Sequence, residues 1–229
     1  MSADGDMPWL FGADSDDGSL PTHERVYRRL RNLILWGEIA PGQPVTIQGL
    51  TERLGAGMTP VREAIRRLIA EGALDFQGNR RVSVPQLTVA NLEELIYVRK
   101  ALDSKLSQMA FDQVTTLDID ELEQIDQQLN RAIAAGDVRG YLDLNHRFHS
   151  RIYAMAGAPI LTGLAEGLWL RFGPSLRVVC GRLGTQNLPD LHEQAIAALR
   201  RGDSSAAAHA IEQDVMQGME VLRAALNDS

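Results

Sequence analysis

The stretch Thr59-Pro60-Val61-Arg62-Glu63-Ala64-Ile65-Arg66-Arg67-Leu68 arrives a few residues after a helical segment, Ile47 to Leu54, and few folds accommodate that sequence. Thr59 suits a helix cap and Pro60 the first helical position, where a missing backbone N–H costs nothing. Val61, Ile65, Leu68 and Ile69 fall on one side of the helix, and Arg62 and Arg66, one turn apart, on the other. This reads as the second helix of a helix-turn-helix, with arginines near its N-terminal end suited to phosphates and guanine edges. An ordinary charged surface helix has the same local pattern, so the flanks decide between them.

Upstream, Val26 to Trp36 forms an amphipathic helix stopped at Gly37, and Ala40-Pro41-Gly42 turns the chain. Downstream, Leu74-Asp75-Phe76 and Val82-Ser83-Val84 read as two short strands around the basic turn Gln77-Gly78-Asn79-Arg80-Arg81. Three helices and a hairpin make a winged helix-turn-helix. The order resembles the DNA-binding half of the GntR family over residues 24 to 85, at Pro41-Gly42, Leu54-Gly55, Thr59-Pro60-Val61-Arg62-Glu63-Ala64 and Glu71-Gly72. Two departures stand out: Gly57-Met58 occupies the place where the family commonly has a base-reading arginine, and Arg80-Arg81 stands where a wing glycine is frequent.

Charge supports the same division. Residues 21–87 hold ten arginines against six acids, whereas residues 88–229 hold thirteen bases against nineteen acids, so a chain of net charge −7 contains a basic module. The 229 residues suffice for two domains, and the single Cys180 excludes an intrachain disulfide framework and a thiolate zinc cluster. No run of about eighteen apolar residues and no secretory signal pattern is present, so a cytoplasmic protein without a membrane segment is expected. Residues 1–20, with five aspartates and the trio Trp9-Leu10-Phe11, read as a flexible acidic tail.

Within the second domain, residues 88–229, the pattern is helical from Asn91 onward, broken at Thr115-Thr116, Ala135-Gly136-Asp137, Gly157-Ala158-Pro159, Gly181 to Pro189 and Gly202-Asp203. Six or so helices without a convincing strand indicate an antiparallel bundle, so the whole chain is expected to be mainly α. Several helices place polar groups among apolar ones: Arg99 amid Leu92, Leu95, Ile96 and Leu102; Asn145 and His149 amid Leu142, Phe148 and Ile152; His192 amid Leu191, Ala195 and Ile196. Asp214 sits at the edge of the stripe Ile211, Val215, Met219 and Leu222, while His146 and Arg147 project toward the flank or solvent. A guanidinium facing a core needs a partner: either Asp103, one turn on, neutralises Arg99, or Arg99 awaits an anionic ligand.

This constellation resembles the FCD subfamily of the GntR regulators over about residues 92 to 222. The resemblance implies an FCD-like all-α domain with an effector pocket, and in many members a metal held by an Asp-x-x-Phe-His motif and two later histidines. Here Asn145-His146-Arg147-Phe148-His149 carries Asn145 in place of the aspartate, His192 matches the next ligand, and Asp214 stands where histidine is expected. The implied metal set is therefore Asn145, His149, His192 and Asp214, suited to a divalent ion such as Zn, Ni or Mn. Without metal, Arg99, Asn145, His149 and His192 can hold a small carboxylate effector by charge and hydrogen bonds.

The expected function is a ligand-responsive transcriptional regulator, a repressor by family habit. It pairs as a homodimer, because one reading helix contacts too few bases, and it binds double-stranded operator DNA. Arg62 and Arg66, with Thr59 at the helix start, are expected in the major groove; Arg28, Arg67, Arg80 and Arg81 are expected on the backbone. One alternative is a metal-free regulator of an acyl-CoA-like ligand, which would need a long apolar groove. The other, a metal-dependent bundle enzyme, lacks the repeated Glu-x-x-His segments such enzymes use.

Overall fold

The structure, a computed structural model, describes residues 20–77, 81–183 and 190–227. The expected tail up to residue 19, the wing-tip Arg80, and residues 184–189 of the Gly181 to Pro189 break lie outside these.

The N-terminal module is built from α1 (Thr22–Leu35), β1 (Pro44–Val45), α2 (Ile47–Leu54), α3 (Met58–Ala70), β2 (Asp75–Gln77) and β3 (Arg81–Ser83). Thr46 caps α2 by accepting from the Gly49 N–H, and Gly55 ends it in the left-handed region at φ 59°, which turns the chain tightly into α3. Val26, Leu30 and Ile34 of α1 and Val61, Ala64, Ile65 and Leu68 of α3 form the module's core. The wing is an antiparallel hairpin with Phe76 opposite Val82, and β1 joins its other side with Val45 opposite Val82. At two residues, β1 is too short to leave a readable alternation, and the sequence reading misses it.

One local expectation is corrected. Helix α3 starts at Met58 with Gly57 as its cap, so Thr59 is the second helical residue and does not cap it. The Gly57 carbonyl already accepts from the Val61 N–H, which brings Met58 into the first turn.

The second module contains α4 (Val89–Phe111), α5 (Thr116–Ala135), α6 (Val138–Met155), α7 (Pro159–Leu183), α8 (Leu191–Arg200) and α9 (Ser204–Asn227). Each expected break separates two of these helices. A capping box between Thr115 and Asp118 starts α5, and Asp137 caps α6 through the Gly140 N–H. Helix α4 packs on α9, α6 and α7, and α5 on α6 and α8. Helix α7 also packs against α1 of the N-terminal module, the head. They approach closely at Gly173, where an added Cβ would stand 2.7 Å from the Leu35 carbonyl oxygen. A glycine is therefore what allows the two modules to pack this tightly.

Candidate functional site

Three side chains from three helices converge inside the bundle. His149 of α6, His192 of α8 and Asp214 of α9 each offer a ligand atom, and these atoms lie within 4.8 Å of one another. His149 Nε2 is 3.0 Å from Asp214 Oδ2, and His192 Nε2 is 3.5 Å from the same oxygen. Ligand atoms about 2.1 Å from a common cation sit about 3.0 Å apart in an octahedron and about 3.4 Å apart in a tetrahedron. Both imidazoles are buried, and His192 Nε2 and His149 Nδ1 have no hydrogen-bond partner among the described residues. Two imidazole nitrogens and a carboxylate at this spacing fit a divalent cation.

The orientation of His192 adds to that fit. Its Nδ1 faces Asp126 Oδ1 of α5 at 3.3 Å, and its ring stacks on Phe148 with centroids 3.9 Å apart. A carboxylate on one ring nitrogen fixes the tautomer and leaves the other nitrogen to face a ligand. Burial alone would lower the His192 pKa, but Asp214 and Asp126 outweigh it and raise it to about 10. For His149, burial prevails and keeps the ring neutral. Burial would raise the Asp214 carboxyl, yet the two histidines hold it well below the usual range. Asn145 lies one turn before His149 on α6 and is half-buried.

Arg99 is buried and already partnered. Its Nε donates to Asp103 Oδ2 at 2.9 Å and its Nη2 reaches the Tyr153 hydroxyl at 3.5 Å. Tyr153 in turn donates to Asp103 Oδ1 and accepts from Trp169 Nε1. The guanidinium also lies over the Trp169 and Phe172 rings, 4.9 and 4.5 Å from their centroids. Of the two readings left open for Arg99, the pairing with Asp103 is the one this structure contains.

His146 departs from expectation: it is buried, not turned to solvent. Bundle periodicity alone leaves that flank of α6 open, but Trp36, just after α1, and α7 cover it. The His146 ring meets Trp36 of the head edge-on at 5.3 Å and Trp169 of α7 at 5.0 Å. Its Nε2 is 2.9 Å from Glu166 Oε2, the same oxygen that accepts from Arg31 of α1 at 3.0 Å, while Ser150 donates to Oε1. Burial pushes the Glu166 carboxyl up, but His146, Arg31 and Ser150 prevail and hold it near a pKa of about 2. A buried ionic junction thus ties the head to the bundle. Trp169 touches both histidines, its ring 5.6 Å from that of His149.

Asp126, Glu166 and Trp169 were not singled out from sequence. The signal that found Arg99 and His149 marks the two acids as well, since Asp126 lies at helical spacing among Leu122, Ile125 and Leu129 and Glu166 follows buried Ala165.

On the head, Arg62 and Arg66 project from α3 into solvent, with no ion pair or hydrogen bond among the described residues. Thr59 and Arg81 are exposed too. Arg28 and Arg67 are engaged: Arg28 bonds Glu24 at 3.0 Å, and Arg67 bonds Glu24 and Glu71 while lying 3.4 Å above the Tyr27 ring.

These features define a winged helix-turn-helix regulator joined to an all-helical companion domain. Residues 22–84 match the gntR family of bacterial regulatory proteins, and residues 94–216 match the FCD domain. The chain belongs to the FCD-containing GntR family, whose members are DNA-binding transcriptional regulators and not enzymes. It is similar to the HTH-type transcriptional regulator McbR of Escherichia coli (strain K12), 28% identical over 86% of this chain and 91% of McbR. The solved structure of E. coli McbR/YncC superposes with a TM-score of 0.82 over 89% of this chain and 97% of that one. The HTH-type transcriptional repressor RspR of the same organism is 24% identical over 89% of this chain and 90% of its own length. A putative transcriptional regulator GntR from Rhodococcus sp. RHA1 shares the fold, with a TM-score of 0.73 at 20% identity over 87% of this chain and 96% of that one. No described helix is long and apolar enough to cross a membrane.

Proposed function

We propose that this protein is a ligand-responsive repressor whose helical domain senses a small organic acid at His149, His192 and Asp214 and whose head binds operator DNA. The observation that carries the reading is the convergence of these three donors in the bundle interior, within 4.8 Å of one another. A divalent cation held there, with Asn145 as a further oxygen donor, would supply a Lewis-acidic centre for an effector carboxylate. The bundle's own residues do the rest: Asp126 orients His192, and Asp103 and Tyr153 hold Arg99 in place. A compact cluster of polar donors suits a small acid better than a long acyl chain. RspR, a relative by sequence, is named a repressor.

Arg62 and Arg66 are proposed to enter the major groove, with Thr59 at the helix start and Arg81 on the wing near phosphate. Arg28 and Arg67 would exchange their present carboxylate partners to join them. Two copies pair through apolar side chains left exposed on α4 and α7: Tyr97 and Ile160 are 78% and 80% exposed, and Leu164 lies one turn after Ile160. The metal-loaded protein should release operator duplex when the right acid is added, read by fluorescence anisotropy against a panel of organic acids with and without chelator. Were His149→Ala to keep both metal content, by elemental analysis, and the acid response, the site would be wrong.

A further inference from the structure

The head carries an exposed apolar side chain at the start of α3 that the arginine reading does not use. Met58 is the first residue of α3 and is 58% exposed, although Val61, Ala64, Ile65 and Leu68 of the same helix are all buried. It stands one turn before Arg62, on the same side of the helix. The chain leading into it is bare: an added Cβ at Gly55 would meet nothing within 4 Å, and at Gly57 only the Pro60 ring. The first turn of a reading helix is the part that comes closest to base edges.

We propose that Met58 determines operator specificity, packing on the 5-methyl group of a thymine at one position of each half-site. The inference rests on the reading that the start of α3 enters the major groove. A thioether offers no N–H or O–H, so it cannot satisfy guanine O6 and N7, and covering them would strip water from two acceptors. The apolar group in the major groove is the thymine methyl, and an unbranched, polarizable side chain adapts to it. Met58 therefore selects thymine by contact and rejects guanine by desolvation. Arg62, four residues on, reads a neighbouring base or phosphate by charge.

The test is selection from a library of randomised duplexes by the full-length protein and by Met58→Ala, Met58→Arg and Arg62→Ala. Because residue 58 is exposed, its substitutions leave the fold intact, which thermal unfolding verifies. The wild type should fix an A·T pair at one position per half-site; Met58→Ala should leave it degenerate, and Met58→Arg should convert it to G·C. Replacing that thymine by deoxyuridine, which removes only the methyl, should weaken wild-type binding about fourfold, equivalent to ~0.8 kcal/mol for one buried carbon, and leave Met58→Ala unaffected. Identical preferences from all residue-58 variants, or equal wild-type affinity for thymine and uracil, would overturn the proposal. If Arg62→Ala alone alters selection, the docking of α3 stands and the Met58 assignment fails. If neither Arg62→Ala nor the Met58 variants change it, α3 is not the reading element.

Discussion

Replacing Glu166 by glutamine removes one negative charge from a junction where Arg31 and His146 converge on a single carboxylate oxygen. Glutamine keeps the shape and one carbonyl acceptor, so the change is electrostatic. The magnitude follows from the carboxyl's displacement, from an ordinary 4.5 to about 2, which corresponds to about 3 kcal/mol of folding free energy. Stripping a buried cation of its partner typically costs about 3–5 kcal/mol, and the retained acceptor places this variant at the lower end. The sign is fixed by the direction of the shift. A carboxyl whose folded-state pKa is depressed stabilises the protein above its unfolded value, near 4.5, and loses that contribution as pH falls toward 2. Urea unfolding of both proteins at steps from pH 7 down to pH 3 isolates the effect, because other carboxylates titrate equally in each. The variant should be about 3 kcal/mol less stable at pH 7, and the gap should narrow steadily below pH 4.5. A gap that stays constant with pH would refute the reasoning, since the loss would then come from packing and not from the ionised carboxylate.

Arg62→Ala should weaken operator binding by about 1–3 kcal/mol if it contacts a base edge bidentately, measured by anisotropy at fixed salt. An unchanged affinity would remove it from the interface. Asp126→Asn keeps the volume beside His192 but loses the charge, and should lower metal affinity about 10- to 100-fold in competition with a chromophoric chelator. A wild-type affinity would reduce Asp126 to packing. Leu164→Glu places a charge on the exposed apolar face of α7 and should shift the protein from dimer to monomer in sedimentation equilibrium, with weaker operator binding as the consequence.

The head was legible in detail because its determinants are local. The three helices and the hairpin all follow from residues near in sequence, while the two-residue β1, the position of the α3 cap and the first turn of α1, which begins at Thr22 and not at Val26, escaped. The bundle was legible as periodicity: helix breaks fell where glycine, proline and capping residues stood, and the inward placement of Arg99, His149 and His192 followed from their apolar neighbours. Pairing was less legible. Nothing in the spacing of α4 shows that Asp103 and Tyr153 together saturate Arg99, because Tyr153 arrives from α6. His146 was misplaced for a related reason: a helical wheel assigns faces within one domain, and this face is covered by another.

That covered face gives the architecture its physical interest. His146 and His149 stand three positions apart on one rigid helix, so they lean to adjoining sides of α6. One faces the donor cluster and the other the Glu166–Arg31 junction, and Trp169 packs against both. A ligand drawing His149 toward a cation cannot shift α6 without also shifting His146 against Trp36 of the head. The head responds only as far as the ligand binds one arrangement of α6 and α7 better than another, since a ligand with equal affinity for both shifts nothing. Glu166→Gln therefore has a second expected consequence beyond lost stability. It should leave acid binding at His149 and His192 intact while reducing the change in operator affinity that the acid produces, because the junction that holds α1 to α7 is loosened and the site is not.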